Sequence, residues 1–245
     1  MANLSPEKTR RPGVNVWTIV VAGGSGRRFG AMKQYAEIEG RRVIDLAVEC
    51  ARNVSDGVVV VVPADDVDVE GGVAGGPTRT ASVRNGLAAV PVDADVILVH
   101  DAARPFASEH LFAAVIDAVC AGVDGAIPGL PVTDTVKSIE VVESSSLGLE
   151  VSYSAANMAV PRVVATPDRA TLVAVQTPQA FRADVLRRAY LSELDATDDS
   201  VLVESVGGTV VVVPGEVDNR KITHADDLEW ARDLLARRSA GGDDR

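Results

Sequence analysis

A buried strand that runs straight into a cationic glycine turn constrains this chain more than any other feature. Val16-Trp17-Thr18-Ile19-Val20-Val21 is apolar or β-branched throughout, and it leads into Ala22-Gly23-Gly24-Ser25-Gly26-Arg27-Arg28-Phe29-Gly30, with Lys33 close behind. A continuous apolar run of this kind suits a parallel strand covered by helices on both faces. The glycines let the backbone turn tightly and bring its N–H groups near an anion. Arg27, Arg28 and Lys33 add full positive charges to the same turn. The combination predicts a loop that holds a polyphosphate and neutralises charge developing on it. Two common phosphate loops are excluded. Gln34 and Tyr35 follow Lys33, where a Walker A motif needs Ser or Thr. Phe29 stands where the dinucleotide fingerprint needs its last glycine.

The rest of the chain alternates in the α/β manner. Strands are predicted at 16–21, 57–62, 95–100, 124–127, 173–176 and 209–213. Helices are predicted at 43–53, 79–89, 108–121, 183–193, 198–206 and 225–237. Apolar residues make up 47% of the chain but aromatics only 4%, so the core is built of Val, Ala, Leu and Ile. The expected architecture is one α/β domain over 16–238, a mostly parallel sheet flanked by helices, between a loose leader (1–15) and a frayed tail (239–245). Residues 137–170 break the rhythm. Lys137 to Val142 alternates like a strand, a serine-rich turn follows, and Arg162 to Thr166 is strand-like again. These pieces predict a projecting β-arm with exposed edges and apolar side chains. A second copy of the chain is the expected cover, giving a homodimer; the other reading is a disordered insertion.

A formal net charge of −11 argues against a nucleic-acid surface. It does not argue against phosphate binding, because a cation ~4 Å from a phosphate is worth roughly 4 kcal/mol at an effective dielectric of about 20. Charges beyond about 8 Å are screened at physiological salt. No signal-peptide core and no apolar run of spanning length stands in the sequence, so a cytoplasmic protein without membrane contact is expected. Cys50 and Cys120 lie in apolar helical patterns and read as two buried, reduced thiols.

Other segments bear chemistry less distinctly. Val99-His100-Asp101-Ala102-Ala103-Arg104-Pro105-Phe106 ends an apolar strand, at the sheet edge that carries ligands in open α/β folds. Asp101 there suits a Mg²⁺ ion on phosphate oxygens, and Arg104 suits a phosphate or the aspartate itself; the bland alternative is a structural ion pair. His100, without a second His or Cys nearby, reads as a packed, hydrogen-bonded residue, as do His110 and His224. Gly75-Gly76-Pro77-Thr78-Arg79-Thr80-Ala81-Ser82 enters a helix with backbone groups and a hydroxyl able to read a nucleobase edge, or is a plain helix start. Asp168-Arg169, Gln176-Thr177-Pro178-Gln179 and Asp218-Asn219-Arg220-Lys221-Ile222-Thr223 put cations and hydroxyls in loops beside strands.

In this order, over residues ~16–237, these segments and Asp134-Thr135-Val136-Lys137 resemble the 2-C-methyl-D-erythritol 4-phosphate cytidylyltransferase family. The resemblance implies a Rossmann-like nucleotidyltransferase fold and a homodimer built with the β-arm. It implies transfer of CMP from CTP to methylerythritol phosphate in non-mevalonate isoprenoid synthesis. Arg28 and Lys33 would stabilise the pentavalent transition state, and Arg169 and Lys221, which complete the expected catalytic set, would position the methylerythritol phosphate. Ala22, Gly23, Gly24, Gly26, Gly76, Arg79, Ser82, Asp101 and Ala102 would bind the nucleotide, Gly76 and Ser82 at the cytosine. Arg104, Thr135, Thr177 and Asp218 would bind the sugar phosphate, with Thr135 and Arg169 acting across the dimer. Asp101 would serve Mg²⁺, with Mn²⁺ as the other candidate. Three departures from the family pattern stand out: a shorter loop with Met32 before Lys33, a longer arm over about 143–162, and Pro77 in place of an acidic residue. The rival readings are a ribitol 5-phosphate cytidylyltransferase, an NAD(P)-dependent dehydrogenase and a non-catalytic nucleotide-binding protein.

Overall fold

The computed structural model describes residues 11–23, 32–143, 159–192 and 194–240. They fall into two compact units, one within 1–129 and 175–245, the other within 130–174.

The first unit is built on a mostly parallel sheet. Strand β1 (Val16–Val21) lies between β4 (Gly57–Val62) and β6 (Val96–Asp101), parallel to both, with Ile19 opposite Val59 on one side and Val99 on the other. All six residues of β6 are buried, as a central strand covered on both faces requires. A short β5 (Val73–Ala74) extends the sheet parallel to β4. On the other side, β12 (Val210–Pro214) runs parallel to β7 (Gly125–Pro131). Successive side chains alternate between two cores. Val16, Val20 and Leu98 pack with Ile44, Ala47 and Val48 of α1 (Val43–Val54) and with Phe112 and Val115 of α4 (Glu109–Cys120). Ile19, Ile97 and Val99 pack on the opposite face with Val83 and Leu87 of α3 (Arg79–Ala89) and Leu186 of α5 (Ala183–Ala189). Each such fully buried Leu, Ile or Phe contributes roughly 1.5–3 kcal/mol. A two-strand ribbon, β2 (Glu37–Ile38) with β3 (Arg41–Arg42), and α7 (Asp226–Ala240) close a third core on Ile38, Val43, Phe106, Ile222 and Leu234. The short α2 (Val67–Glu70) and α6 (Asp199–Ser205) complete the unit.

The two-residue strands β2, β3 and β5 were not expected, nor was one strand inside the main sheet. β11 (Gln179–Arg182) runs antiparallel between β6 and β7, with Phe181 opposite Ile97 and Gly125. Four residues straight after a Thr-Pro turn carry too little alternation to register as a strand. A glycine makes the packing possible: a Cβ on Gly125 would stand 2.6 Å from the Phe181 ring. Helix α5 stops at Ala189, short of the expected 193, and the residue that caps it, Tyr190, is buried. The expected buried thiols also need correction. Cys50 is half-buried and donates to the Ala107 carbonyl at 3.1 Å, whereas Cys120, at the last turn of α4, is exposed.

The second unit holds an antiparallel hairpin, β8 (Ser138–Glu143) with β9 (Ala159–Ala165). Ile139 faces Val163 and Val141 faces Pro161, while Glu140 pairs with Arg162 on the other side. The apolar side is bare: Ile139, Val141 and Val163 are each more than half exposed. Lys137 donates to Thr166 Oγ1 at 2.7 Å, and Arg169 donates to the Thr133 carbonyl at 2.6 Å. The strand β10 (Val173–Val175) follows. Residues 144–158, and with them most of the expected long arm, lie outside the described residues.

Candidate active site

The order of strands reverses at β1, which has β4 on one side and β6 on the other. In open α/β sheets the crevice at such a switch point, beyond the carboxyl ends of the strands, receives the ligand. Here a cleft of about 620 Å³ opens at that place. Val21, Ala22 and Gly23 line it from the end of β1, and Asp101, Ala102 and Ala103 from the end of β6. Ala102 N–H to the Val21 carbonyl at 3.0 Å joins the two ends, and Ala22 N–H to the Val61 carbonyl at 2.7 Å ties the end of β1 to β4.

The start of α3 forms a second wall through Gly76, Pro77, Thr78, Arg79 and Ser82. Thr78 caps the helix, its hydroxyl accepting from Ala81 N–H at 3.1 Å. The Ser82 hydroxyl accepts from Gly76 N–H at 3.0 Å and donates to the Thr78 carbonyl at 2.9 Å. Ser82 therefore holds the glycine turn against the helix as well as lining the cleft. Only glycine fits at 76, since a Cβ there would stand 2.5 Å from the Ala81 side chain.

Two lysines face the same space from distant parts of the sequence. Lys33 sits in a short 3-10 turn (Lys33–Tyr35) and donates from Nζ to the Ile222 carbonyl at 3.1 Å. Lys221 is delivered by the loop before α7, which is pinned by Ile222 N–H on the Ala103 carbonyl at 2.8 Å and by the buried Ile222 side chain. Its Nζ meets Asp101 Oδ2 at 2.6 Å, while Arg79 Nε meets Asp101 Oδ1 at 3.3 Å. Arg79 reaches onward to Asp199, Nη2 to Oδ2 at 2.8 Å, and the Tyr190 hydroxyl donates to Asp199 Oδ1 at 2.5 Å. The result is a chain of alternating charge, Lys221, Asp101, Arg79, Asp199, closed by a buried phenol. Burial pushes the Asp101 carboxyl up, but Arg79 and Lys221 outweigh it and hold the group well below the usual carboxylate range. Burial likewise works against the Arg79 charge and is outweighed by Asp199 and Asp101, so its pKa is raised. Burial pushes the Tyr190 phenol up, and Asp199 adds to this, keeping the donor protonated.

His100 fixes the strand end from behind. It is fully buried, and burial lowers its pKa to about 4, so the ring is neutral near pH 7. Nε2 lies 3.1 Å from the Arg104 carbonyl, which only accepts, so Nε2 carries the proton. Nδ1 then accepts from the Thr177 hydroxyl at 3.1 Å, and Thr177 Oγ1 in turn accepts from Asp101 N–H at 3.0 Å.

The cleft thus gathers Ala22, Gly23, Lys33, Gly76, Arg79, Ser82, Asp101, Ala102 and Lys221 from the expected site. Thr177 stands behind the wall, bound to the backbone of Asp101. Arg104 donates to the carbonyls of Asn219 and Val175, at 2.7 and 3.4 Å, and so ties loops together. Asp218 pairs with Arg238 of α7 at 3.2 Å, away from the cleft lining. Thr135 and Arg169 belong to the second unit, and Gly24, Gly26 and Arg28 lie outside the described residues. The sequence reading missed Asp199 and Tyr190. Asp199 follows the α6 cap Asp198 and looks like an ordinary first-turn acid, while its partner Arg79 is 120 residues away. Complete burial in the fold is the only sign that sets it apart.

Asp101 is the one acidic side chain among the described residues that line the cleft, and a carboxylate oxygen is a ligand type that suits a hard divalent cation. Among the described residues, no cluster of three or more His, Cys, Asp or Glu forms a self-sufficient metal cage. No helix among them is long and apolar enough to cross a membrane.

Comparison with known proteins gives one consistent result. Residues 16–237 match the family model described as IspD, 2-C-methyl-D-erythritol 4-phosphate cytidylyltransferase. A bifunctional enzyme IspD/IspF of Anaeromyxobacter dehalogenans (strain 2CP-C) is 46% identical over 91% of this chain and 58% of its own length. A 2-C-methyl-D-erythritol 4-phosphate cytidylyltransferase of Nocardia farcinica is 41% identical over 92% of this chain and 96% of its own. The chain spans somewhat over half the length of the bifunctional relatives. The crystal structure of 4-diphosphocytidyl-2C-methyl-D-erythritol synthase from Anaerococcus prevotii superposes with a TM-score of 0.72 at 31% identity, covering 91% of this chain and 99% of that one. The sheet, its flanking helices and these likenesses agree on a Rossmann-like α/β nucleotidyltransferase fold.

Proposed function

Because this chain belongs to the 2-C-methyl-D-erythritol 4-phosphate cytidylyltransferase family, we propose that it transfers CMP from CTP to 2-C-methyl-D-erythritol 4-phosphate. The products are 4-diphosphocytidyl-2-C-methyl-D-erythritol and pyrophosphate. A phosphate oxygen of the sugar alcohol attacks the α-phosphorus in line. The new P–O bond forms as the bond to the β-phosphate bridge breaks, and the electron pair leaves with pyrophosphate. The attacking phosphate is already ionised, so no strong general base is required. The barrier is the approach of two anions, and catalysis reduces to positioning and charge stabilisation.

The observation that carries this reading is the single cleft in which glycine backbone, Lys33, Lys221 and Arg79 meet at the sheet's switch point. The Ala22–Gly23 backbone, Lys33 and Arg28 would hold the triphosphate. The Gly76 turn, held by Ser82, would read the cytosine edge. Lys221 would position the methylerythritol phosphate, and Arg79, paired with Asp101, helps to keep that carboxylate ionised in the cleft. A bound Mg²⁺, or Mn²⁺ in its place, would withdraw charge from phosphate oxygens, with Asp101 as its protein ligand. Arg104, Thr177 and Asp218 act from behind, fixing the loops that present Asp101 and Lys221. Thr135 and Arg169 would approach the sugar phosphate from a second copy, in a homodimer covered along the bare side of the β8–β9 hairpin. A cytoplasmic location suits the supply of CTP.

The test is release of pyrophosphate by purified protein with Mg²⁺, each of the four nucleoside triphosphates, and methylerythritol phosphate or ribitol 5-phosphate. Turnover with CTP and methylerythritol phosphate alone is expected. Turnover confined to ribitol phosphate would move the assignment to the sister activity, and turnover with neither would remove it.

A further inference from the structure

The 3-10 turn that presents Lys33 contains a second polar group without an assigned role. Gln34 lines the cleft and is only 3% exposed, yet among the described residues its Nε2 has no hydrogen-bond partner. A buried amide donor left unsatisfied costs about 1–3 kcal/mol, and native structures retain few of them. The turn itself is well bonded among the described residues. Tyr35 N–H bonds the Met32 carbonyl at 3.0 Å, Ala36 N–H bonds the Lys33 carbonyl at 3.2 Å, and Val43 N–H bonds the Ala36 carbonyl at 2.9 Å. The Tyr35 hydroxyl donates to Asp66 at 2.7 Å, and the Arg42 guanidinium stacks over the Tyr35 ring. A hydrogen-bonded segment thus keeps a desolvated N–H₂ group on a residue that lines the cleft, beside the lysines and glycine backbone that suit an anion.

We infer that Gln34 is a nucleotide-contacting residue whose side-chain amide donates to a phosphate oxygen of bound CTP, beside Lys33. The inference rests on reading the cleft as the CTP site. Phosphate oxygens only accept, which matches a group whose buried, unmet atom is a donor. Satisfying a prepaid, desolvated donor with a charged acceptor gives a stronger contact than a solvated amide does. The free protein carries the deficit, and the bound nucleotide relieves it.

Two substitutions test this by calorimetric titration of CTP together with thermal unfolding. Gln34→Met removes the unmet donor while keeping volume and apolar packing. It is expected to unfold at the wild-type temperature or above, and to bind CTP at least about tenfold more weakly. Gln34→Glu is nearly isosteric and turns the donor into an anion. It is expected to lose more CTP affinity than Gln34→Met, which a carboxylate facing a ribose hydroxyl or a base amino group would not do. A folded Gln34→Met that binds CTP within twofold of wild type overturns the inference, as does a Gln34→Glu that binds better than Gln34→Met. A wild-type protein that does not bind CTP overturns the functional reading itself, a result separable from either variant outcome.

Discussion

The cleft-bearing unit buries charge, whereas the β8–β9 hairpin exposes hydrocarbon. In the first, Asp199 is completely inaccessible, Asp101 nearly so, and each is matched by a cation on a different element. In the second, Ile139, Val141 and Val163 stand open to solvent beside an exposed Glu140–Arg162 pair. A buried charge costs several kcal/mol unless its partners are well placed, so such a chain persists where it fixes geometry. An exposed apolar strand face is stable only under cover. The first region thus meets its buried charges with partners from its own chain, whereas the hairpin leaves an apolar side exposed among the described residues.

The largest effect is expected at the buried end of the charge chain. Asp199→Ala leaves the Tyr190 hydroxyl without its acceptor and Arg79 with Asp101 alone, and should cost about 3–5 kcal/mol in urea denaturation. A loss under 1 kcal/mol would mean that the network is not a structural anchor. Next comes Lys33→Ala, which should reduce kcat about 10²–10³-fold with little change in KM, the pattern of a contact strongest in the transition state. A change confined to KM would reassign Lys33 to ground-state binding.

A third effect follows from His100. Its folded pKa, about 4, lies below the ordinary 6.5, so the unfolded chain binds the proton first as pH falls. Its contribution is complete above pH ~6.5 and is lost progressively toward pH ~4, up to about 3 kcal/mol. The depressed carboxyl of Asp101 behaves alike at lower pH, losing its contribution below the ordinary carboxylate range. Denaturation between pH 7 and 4.5 should show the His100 slope, and His100→Asn should flatten it; an equally steep slope in the variant would place the titrating group elsewhere. The smallest effect on the chain's own stability is expected in the hairpin. Val141→Lys should change unfolding by less than about 0.5 kcal/mol, yet shift sedimentation from dimer to monomer. An unaltered sedimentation coefficient would remove the hairpin from the dimer interface.

The same contrast explains what the sequence disclosed. The apolar runs of β1 and β4 announce themselves, because strands covered on both faces are apolar throughout, and β12 carries the same valine run although Val212 is half exposed. The alternating pattern of 137–142 does so as well. The four-residue β11 does not, because its place is set by Phe181 packing over Gly125 and not by local pattern. In the cleft, glycines and lysines near strand ends were legible by type and position. The partners were not: Arg104 bonds to carbonyls that no residue code reveals, and Asp199 joins Arg79 only once α3 and α6 are brought together.

The most direct measurement is a crystal structure of the protein with a non-hydrolysable CTP analogue and Mg²⁺. The expected pose has the triphosphate between the Gly23 backbone and Lys33, with cytosine against the Gly76 turn and Ser82. A nucleotide bound outside the β1–β6 crevice, or lying with its base at Lys33 and its phosphates at Ser82, would contradict it.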